Sequence, residues 1–161
     1  MRVLLCYDGS QTAEAALANL AELLPRCTVT LLYVWTARPG LVGLEAVQPM
    51  RAADIIDQGL KAARRRGLDA HVLVTADRSS VVDTILHIAS LERSSLIVVG
   101  ASSCEDRGRG RGHESISAAL AERAACPVLV VPTRSGRDRH SHVPTVTRAP
   151  ELAGADASDS R

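Results

Sequence analysis

Short apolar runs alternate with helical segments along residues 1–132, and this alternation restricts the fold more than any other feature. Five short runs are predicted to be strands, at 2–7, 28–35, 69–75, 95–100 and 126–132, and the run 28–35 is rich in β-branched residues. The segments between them place apolar residues at helical spacing. Strands that alternate with helices build βαβ units. The sequence therefore predicts a single doubly wound, Rossmann-like α/β domain, with a five-stranded, mostly parallel sheet and helices on both faces.

The first two predicted helices have recognisable ends. Ser10 can cap the first helix, and Pro25 ends it. The apolar stripe of this helix consists of Ala16, Leu17, Leu20, Leu23 and Leu24. Segment 36–49 contains prolines and glycines and is predicted to be a loop. The second helix follows it and is closed by Gly67.

Residues 133–161 differ in kind from the rest of the chain. They show neither a helical nor a strand period, and their charge changes from basic to acidic along the segment. A segment without apolar anchors cannot offset the entropy lost on ordering. We expect an α/β domain over 1–132 and a disordered polar C-terminal tail over 133–161.

Charge and hydropathy exclude several classes of protein. The net charge of +1 offers no electrostatic case for binding nucleic acid or an acidic membrane. No stretch approaches the ~18 apolar residues of a membrane-spanning helix. The apolar run after Arg2 ends at Asp8, too early for a secretory signal. We expect a cytoplasmic protein that binds neither nucleic acid nor membrane.

The cysteines and histidines suggest no metal centre. Cys6, Cys27, Cys104 and Cys126 form no C-x-x-C pair, and we expect free thiols, with Cys104 in a polar loop as a candidate for redox reactivity. His113, His140 and His142 have no cysteine or carboxylate at a ligand spacing, so no metal is expected.

The strand ends point to a ligand site. In doubly wound sheets, ligands bind beyond the carboxyl ends of the strands, near the point where the strand order reverses. Asp8 follows the first predicted strand, and Gly100 ends the fourth. We expect these two ends to lie side by side. A Gly/Arg-rich loop then leads to the serines that open the last helix.

Three features in this order resemble the universal stress protein family. They are "YDGS" after the first strand, "VVG" with its Gly-rich loop after the fourth, and "SISAAL" followed by "CPVLVVP" at the end of the domain. The resemblance covers roughly 1–132 and implies the fold already predicted. The family contains members that bind ATP and members that do not. The binders carry G-x2-G-x9-G-[ST] before the last helix, where glycines let backbone amides approach phosphate oxygens.

The chain departs from this motif. Gly100 matches the first glycine, but the second position holds Ser103. The third falls on His113 when counted from Gly100, or on Glu114 when counted back from Cys126. The glycines of segment 108–112 allow a binding loop in a different register. The arginines at 107, 109 and 111 add positive charge, balanced by the acidic residues at 105, 106 and 114. A solvated loop without a ligand is the alternative.

The resemblance implies a set of nucleotide-contacting residues. They are Asp8, Val34, Gly100, Ser103, Gly112, Ser115 and Ser117. Asp8 corresponds to the family's acidic residue near the adenosine half of the ligand, and Val34 to a valine at the end of the second strand. The alternatives are a turn or capping role for Asp8 and a core position for Val34.

The leading hypothesis is a small stress-response or regulatory protein that acts by dimerisation and association, with weak or lost nucleotide binding. The alternative is an ATP-binding member whose loop 100–117 holds the phosphates in an altered register. No enzyme is expected, because the sequence offers no dedicated base and no Walker lysine; slow ATP hydrolysis is the enzymatic alternative. The resemblance also implies a homodimer through the last strand, at Val128–Val131, and the partner protein is not identified by the sequence.

Overall fold

The computed structural model describes residues 1–36, 47–77, 79–101 and 115–132, with the side chains of 47–50 outside this description. Strands and helices alternate through these ranges. The elements are β1 Arg2–Cys6, α1 Gln11–Leu23, β2 Thr28–Trp35, α2 Val47–Arg65, β3 Asp69–Ala76, α3 Val81–Leu91, β4 Leu96–Gly100, α4 Ile116–Arg123 and β5 Val128–Val131. The predicted tail at 133–161 lies outside the described residues and stays a prediction.

The sheet has the order β3-β2-β1-β4-β5, and every neighbouring pair is parallel. This confirms the predicted α/β class. In the centre of the sheet, Leu5 of β1 pairs with Leu31 of β2 on one side and with Val98 of β4 on the other. The chain moves outward from β1 to β3 and then crosses back to β4. The strand order therefore reverses between β1 and β4, and β3 and β5 form the edges.

Helices cover both faces of the sheet because successive strand residues point to opposite sides. Val3 and Leu5 of β1 belong to the core beneath α1 and α2, whereas Leu4 belongs to the core beneath α3 and α4. All three side chains are buried. The uninterrupted apolar run that marks β1 in the sequence is thus a consequence of burial on both faces.

α1 confirms the predicted cap and corrects one core residue. Ser10 accepts a hydrogen bond from the amide of Ala13 at 3.2 Å. Leu17 and Leu20 are fully buried, but Leu23 is 62% exposed, so its placement in the core stripe was wrong. Leu23 lies six residues after Leu17, and this spacing places the two side chains about 120° apart around the helix axis.

α2 begins earlier than the sequence predicted. The expected loop over 36–49 was wrong at its end, because the helix starts at Val47 and includes Pro49 in its first turn. Proline is accepted there, since first-turn amides have no partner within the helix. The predicted end is confirmed. Gly67 has a φ of 79°, and Leu68 donates from its amide to the carbonyl of Ala63 at 3.1 Å.

Cys6, Cys27 and Cys126 are free thiols, and Cys104 lies outside the described residues. Burial raises the pKa of Cys6 to about 12. Among the helices described, none combines the length and the apolar character needed to cross a membrane.

Candidate functional site

The carboxyl ends of β1 and β4 meet where the strand order reverses. β1 leads into residues 7–10 and then α1 on one face of the sheet, whereas the chain after Gly100 returns through α4 on the other face. Loops that leave adjacent strands toward opposite faces open a crevice between them. The expectation that the strand ends before Asp8 and at Gly100 lie side by side is confirmed by the β1–β4 pairing.

Asp8 organises the turn after β1. Its Oδ1 atom accepts a hydrogen bond from the amide of Ser10 at 2.9 Å, which closes an Asx turn. Between them, Gly9 has a φ of 77°, in the left-handed region that glycine adopts without strain. The Ser10 and Thr12 hydroxyl oxygens lie 2.8 Å apart. The turn role considered for Asp8 is therefore present, and its exposed side chain also faces solvent at the site edge.

Gly100 is packed against the first turn of α1. A Cβ atom at this position would lie 2.6 Å from Thr12 Cβ, 2.8 Å from its carbonyl carbon and 2.9 Å from its carbonyl oxygen. Real Cβ atoms do not approach other atoms so closely. Two of these Thr12 atoms belong to the backbone, which cannot relieve the contact by a change of rotamer. Glycine is therefore required here for the helix to approach the sheet, whether or not a ligand is bound.

Two serines form the start of α4. Ser115 is the N-cap residue, yet its side chain makes no hydrogen bond to the amides of its own helix. Its Oγ atom instead lies 2.8 Å from Oγ of Ser117, which is only 8% exposed. The Ser115 side chain thus leaves the first-turn amides of α4 uncapped within the described part of the chain, and such amides can donate to an anion.

Val34 extends the site along β2. The pairing of Cys6 with Leu32 continues as a hydrogen bond from the Tyr7 amide to the Leu32 carbonyl at 2.9 Å. The same offset places Asp8 level with Val34. Val34 is half-buried and packs against the core beneath α3 and α4, so the core role considered for it is observed as well.

A protein-family model, that of the universal stress protein family, matches residues 1–132. The chain belongs to the universal stress protein family. No curated protein sequence is similar enough to this chain to count as a relative.

Solved structures of other family members share the fold. A family protein from Burkholderia pseudomallei is 24% identical, with a TM-score of 0.65 over 81% of this chain and 95% of that one. An Arabidopsis thaliana member with AMP bound is 15% identical, with a TM-score of 0.64 over 88% of this chain and 97% of that one. An Archaeoglobus fulgidus universal stress protein in complex with dAMP is 17% identical, with a TM-score of 0.58 over 81% and 94%.

The structure brings together only part of the predicted nucleotide site of this family member. Asp8 lies just after β1, Val34 is the last but one residue of β2, and Gly100 ends β4. Ser115 and Ser117 lie at the start of α4. Ser103 and Gly112 lie outside the described residues, as do the loop arginines. The complete nucleotide site therefore stays a prediction. The positions of its described residues are compatible with such a site. Within the described ranges, His, Cys, Asp and Glu form no group placed to hold a metal ion.

Sequence reasoning missed a contact between α3 and α4. Ser80 caps α3, and its Oγ donates to Asp83 Oδ2 at 2.7 Å, while Arg123 of α4 donates to Asp83 Oδ1. Ser79 also donates to Asp83, at 3.0 Å. Hydrogen bonds from Ser80, Arg123 and Ser79 lower the pKa of Asp83 to about 2. The spacing of Ser80 and Asp83 is that of a capping box with Asp in place of Glu, but no local pattern identifies Arg123 as a partner.

A second missed group surrounds Tyr7. This side chain is buried, and its hydroxyl donates to the carboxylate of Glu14 on α1. Its ring packs against Gly59 of α2. An interior glycine in an otherwise helical pattern was the available signal for this close packing.

Proposed function

We propose that this universal stress protein is a regulatory protein that acts by association and binds an adenine nucleotide weakly at the crevice between β1 and β4. The observation that carries the proposal is the placement of the Asp8 turn beside the β4 end, together with the start of α4, whose first amides the Ser115 side chain does not cap. The complexes of relatives with AMP and dAMP support an adenine nucleotide as the ligand class. Weak binding is proposed because Ser103 and Glu114 or His113 stand where glycines serve phosphate binding.

Trp35 provides a direct probe of the proposed site. It is the single tryptophan of the chain and lies at the end of β2, directly after Val34. AMP and ATP with magnesium are titrated into the full chain and followed by tryptophan fluorescence and calorimetry. We expect dissociation constants no tighter than about 1 μM. Nanomolar affinity would overturn weak binding, and no signal at millimolar nucleotide would overturn nucleotide binding itself.

Substitution at Asp8 separates the turn from the ligand contact. Asp8→Asn keeps an oxygen that can accept from the Ser10 amide but removes the charge, so we expect weaker nucleotide binding without loss of stability. Asp57→Asn is the matched control, because Asp57 is an exposed carboxylate on α2 that pairs with Lys61. Equal affinities for both variants and the wild type would remove Asp8 from the site.

Ser103→Gly with Glu114→Gly is expected to strengthen nucleotide binding.

We propose no enzymatic role. Lys61 is the only lysine of the chain, and it lies on the exposed side of α2 in an ion pair with Asp57 at 2.6 Å. No lysine is therefore available to hold transferring phosphates. ADP release from ATP in the same titration would contradict this. The cytoplasmic location also stays a prediction.

Association is proposed to occur through β5. This strand is at the edge of the sheet, its outer backbone groups have no partner strand in the described part of the chain, and Val130 is 37% exposed. An apolar edge favours pairing with a second copy. Light scattering at tens of micromolar, an order of magnitude at which a weak dimer forms, measures the mass. We expect a dimer that Val130→Lys dissociates, whereas Val74→Lys on the opposite edge strand leaves it intact. A monomeric wild type would overturn this proposal.

A further inference from the structure

Tyr7 connects three elements directly before the Asp8 turn. Its amide donates to the carbonyl of Leu32, which continues the β1–β2 ladder. Its side chain is 2% exposed, and its hydroxyl donates to Glu14 in the first turn of α1. A buried phenol needs such a partner, because an unpaired buried hydroxyl is costly. Burial, and then the bond to Glu14, raise the pKa of Tyr7, so the hydroxyl remains a donor at neutral pH.

The ring of Tyr7 occupies a notch in α2. A Cβ atom at Gly59 would lie 2.5 Å from Cε1 and 2.8 Å from Cζ of the ring. The ring thus fills the space that any other residue at position 59 would need. Glycine inside a helix is unfavourable relative to alanine, so this close contact must compensate.

Gly9, the residue after Asp8, also packs against α2. A Cβ atom at Gly9 would lie 2.9 Å from Cγ2 of Ile55. Ile55 and Gly59 are four residues apart and therefore share one face of the helix. The two residues that flank Asp8 are consequently held by adjacent positions of α2, with Glu14 of α1 holding the Tyr7 hydroxyl.

We propose that Tyr7 is a positioning residue that holds the Asp8 turn in the orientation needed for ligand contact, through the Gly59 notch and the bond to Glu14. The part that concerns the ligand rests on the proposed nucleotide binding. Because its side chain is buried, Tyr7 acts on the ligand through Asp8 and not by direct contact.

The first test measures the turn in the protein without nucleotide. Tyr7→Phe removes the hydroxyl bond, and Gly59→Ala displaces the ring. Exchange of the Ser10 amide, which donates to Asp8, is followed by NMR. We expect exchange to accelerate by roughly two- to tenfold in Tyr7→Phe, the range set by losing one hydrogen bond, and by more in Gly59→Ala. Tyr33→Phe is the matched control, since it alters the other tyrosine, on β2, and should leave Ser10 unchanged.

The Asp83 amide serves as an internal reference, because it also donates to a side-chain oxygen, that of Ser80, at the start of a different helix, α3. If Ser10 and Asp83 accelerate together, the variants weaken the whole domain and the proposal is wrong. Unchanged exchange at Ser10 in folded Tyr7→Phe would equally overturn it.

The second test measures nucleotide affinity in a double-mutant cycle. If Tyr7 acts through Asp8, Tyr7→Phe weakens AMP binding in the wild type but has no further effect in Asp8→Ala. Equal effects in both backgrounds would overturn the positioning role in binding. If the wild type binds no adenine nucleotide, the proposed function fails, and the amide exchange still decides whether Tyr7 holds the turn.

Discussion

Asp83 is a residue whose pKa is lowered by its neighbours. Hydrogen bonds from Ser80, Arg123 and Ser79 lower its pKa to about 2, so the folded protein binds this proton less tightly than the unfolded chain does. A depressed pKa contributes stability above the unfolded value near 4, and the contribution is lost as the pH falls from about 4 toward 2. The contact joins α3 to α4, so its loss should loosen α4 on the sheet.

We predict that the wild type melts at a higher temperature than Asp83→Asn at pH 7, and that this difference shrinks below about pH 4. Thermal unfolding followed by circular dichroism from pH 7 to 2 measures it. Asp57→Asn is the control, since that carboxylate belongs to an exposed pair within α2. A difference for Asp83→Asn that stays constant across the range would contradict the prediction.

Gly100 has a packing role that is independent of any ligand. Because an added Cβ would meet the Thr12 backbone, we predict that Gly100→Ala lowers the free energy of unfolding by about 1–3 kcal/mol without nucleotide present. Chemical denaturation measures the change. Ser95→Ala, an exposed change beside the opposite end of β4, should have little effect. If Gly100→Ala is as stable as the wild type, the packing role is contradicted, and ligand binding remains the only role proposed for this glycine.

At the scale of elements, α2 ends at a glycine in the left-handed conformation. Gly67 has a φ of 79°, and a Cβ there would meet nothing within 4 Å. We predict that Gly67→Ala costs about 1 kcal/mol and Gly67→Asn less, because asparagine enters the left-handed region more readily. Urea denaturation of both variants compares them. Equal stability of Ala, Asn and Gly at this position would contradict the assigned cap.

At the scale of the whole molecule, the two core layers of the described residues extend to Val131. The clusters on the two faces of the sheet draw on all five strands and end with Val128, Leu129 and Val131. We predict that removal of 133–161 leaves the melting temperature almost unchanged. A second truncation that also removes β5 should destabilise the domain strongly, because Val131 is buried. A loss of more than a few degrees in the first truncation would show that the tail packs, at a scale of about 1 kcal/mol for each 4–8 °C in a small domain.

The candidate site was predictable from sequence only in its local parts. The Asx turn of Asp8 and the cap at Ser10 depend on residues within a few positions of one another. The sequence predicted the cap and offered the turn as the alternative role of Asp8. The reason for Gly100 was not predictable, since the motif suggested phosphate binding, whereas its neighbour in space is Thr12. Tyr7, Glu14 and Gly59 were missed because three elements must assemble before these residues meet.

The sequence by itself determined the class of fold, because apolar runs buried on both faces and amphipathic helices between them can be satisfied by few arrangements other than a covered parallel sheet. It also determined the caps at Ser10 and Gly67, which depend on local backbone geometry. Tertiary structure alone decided which leucine of α1 faces solvent, that α2 begins at Val47, and that Arg123 pairs with Asp83. These features depend on the space left between packed elements. Two residues 40 positions apart, such as Asp83 and Arg123, produce no local sequence pattern from which their contact could be predicted.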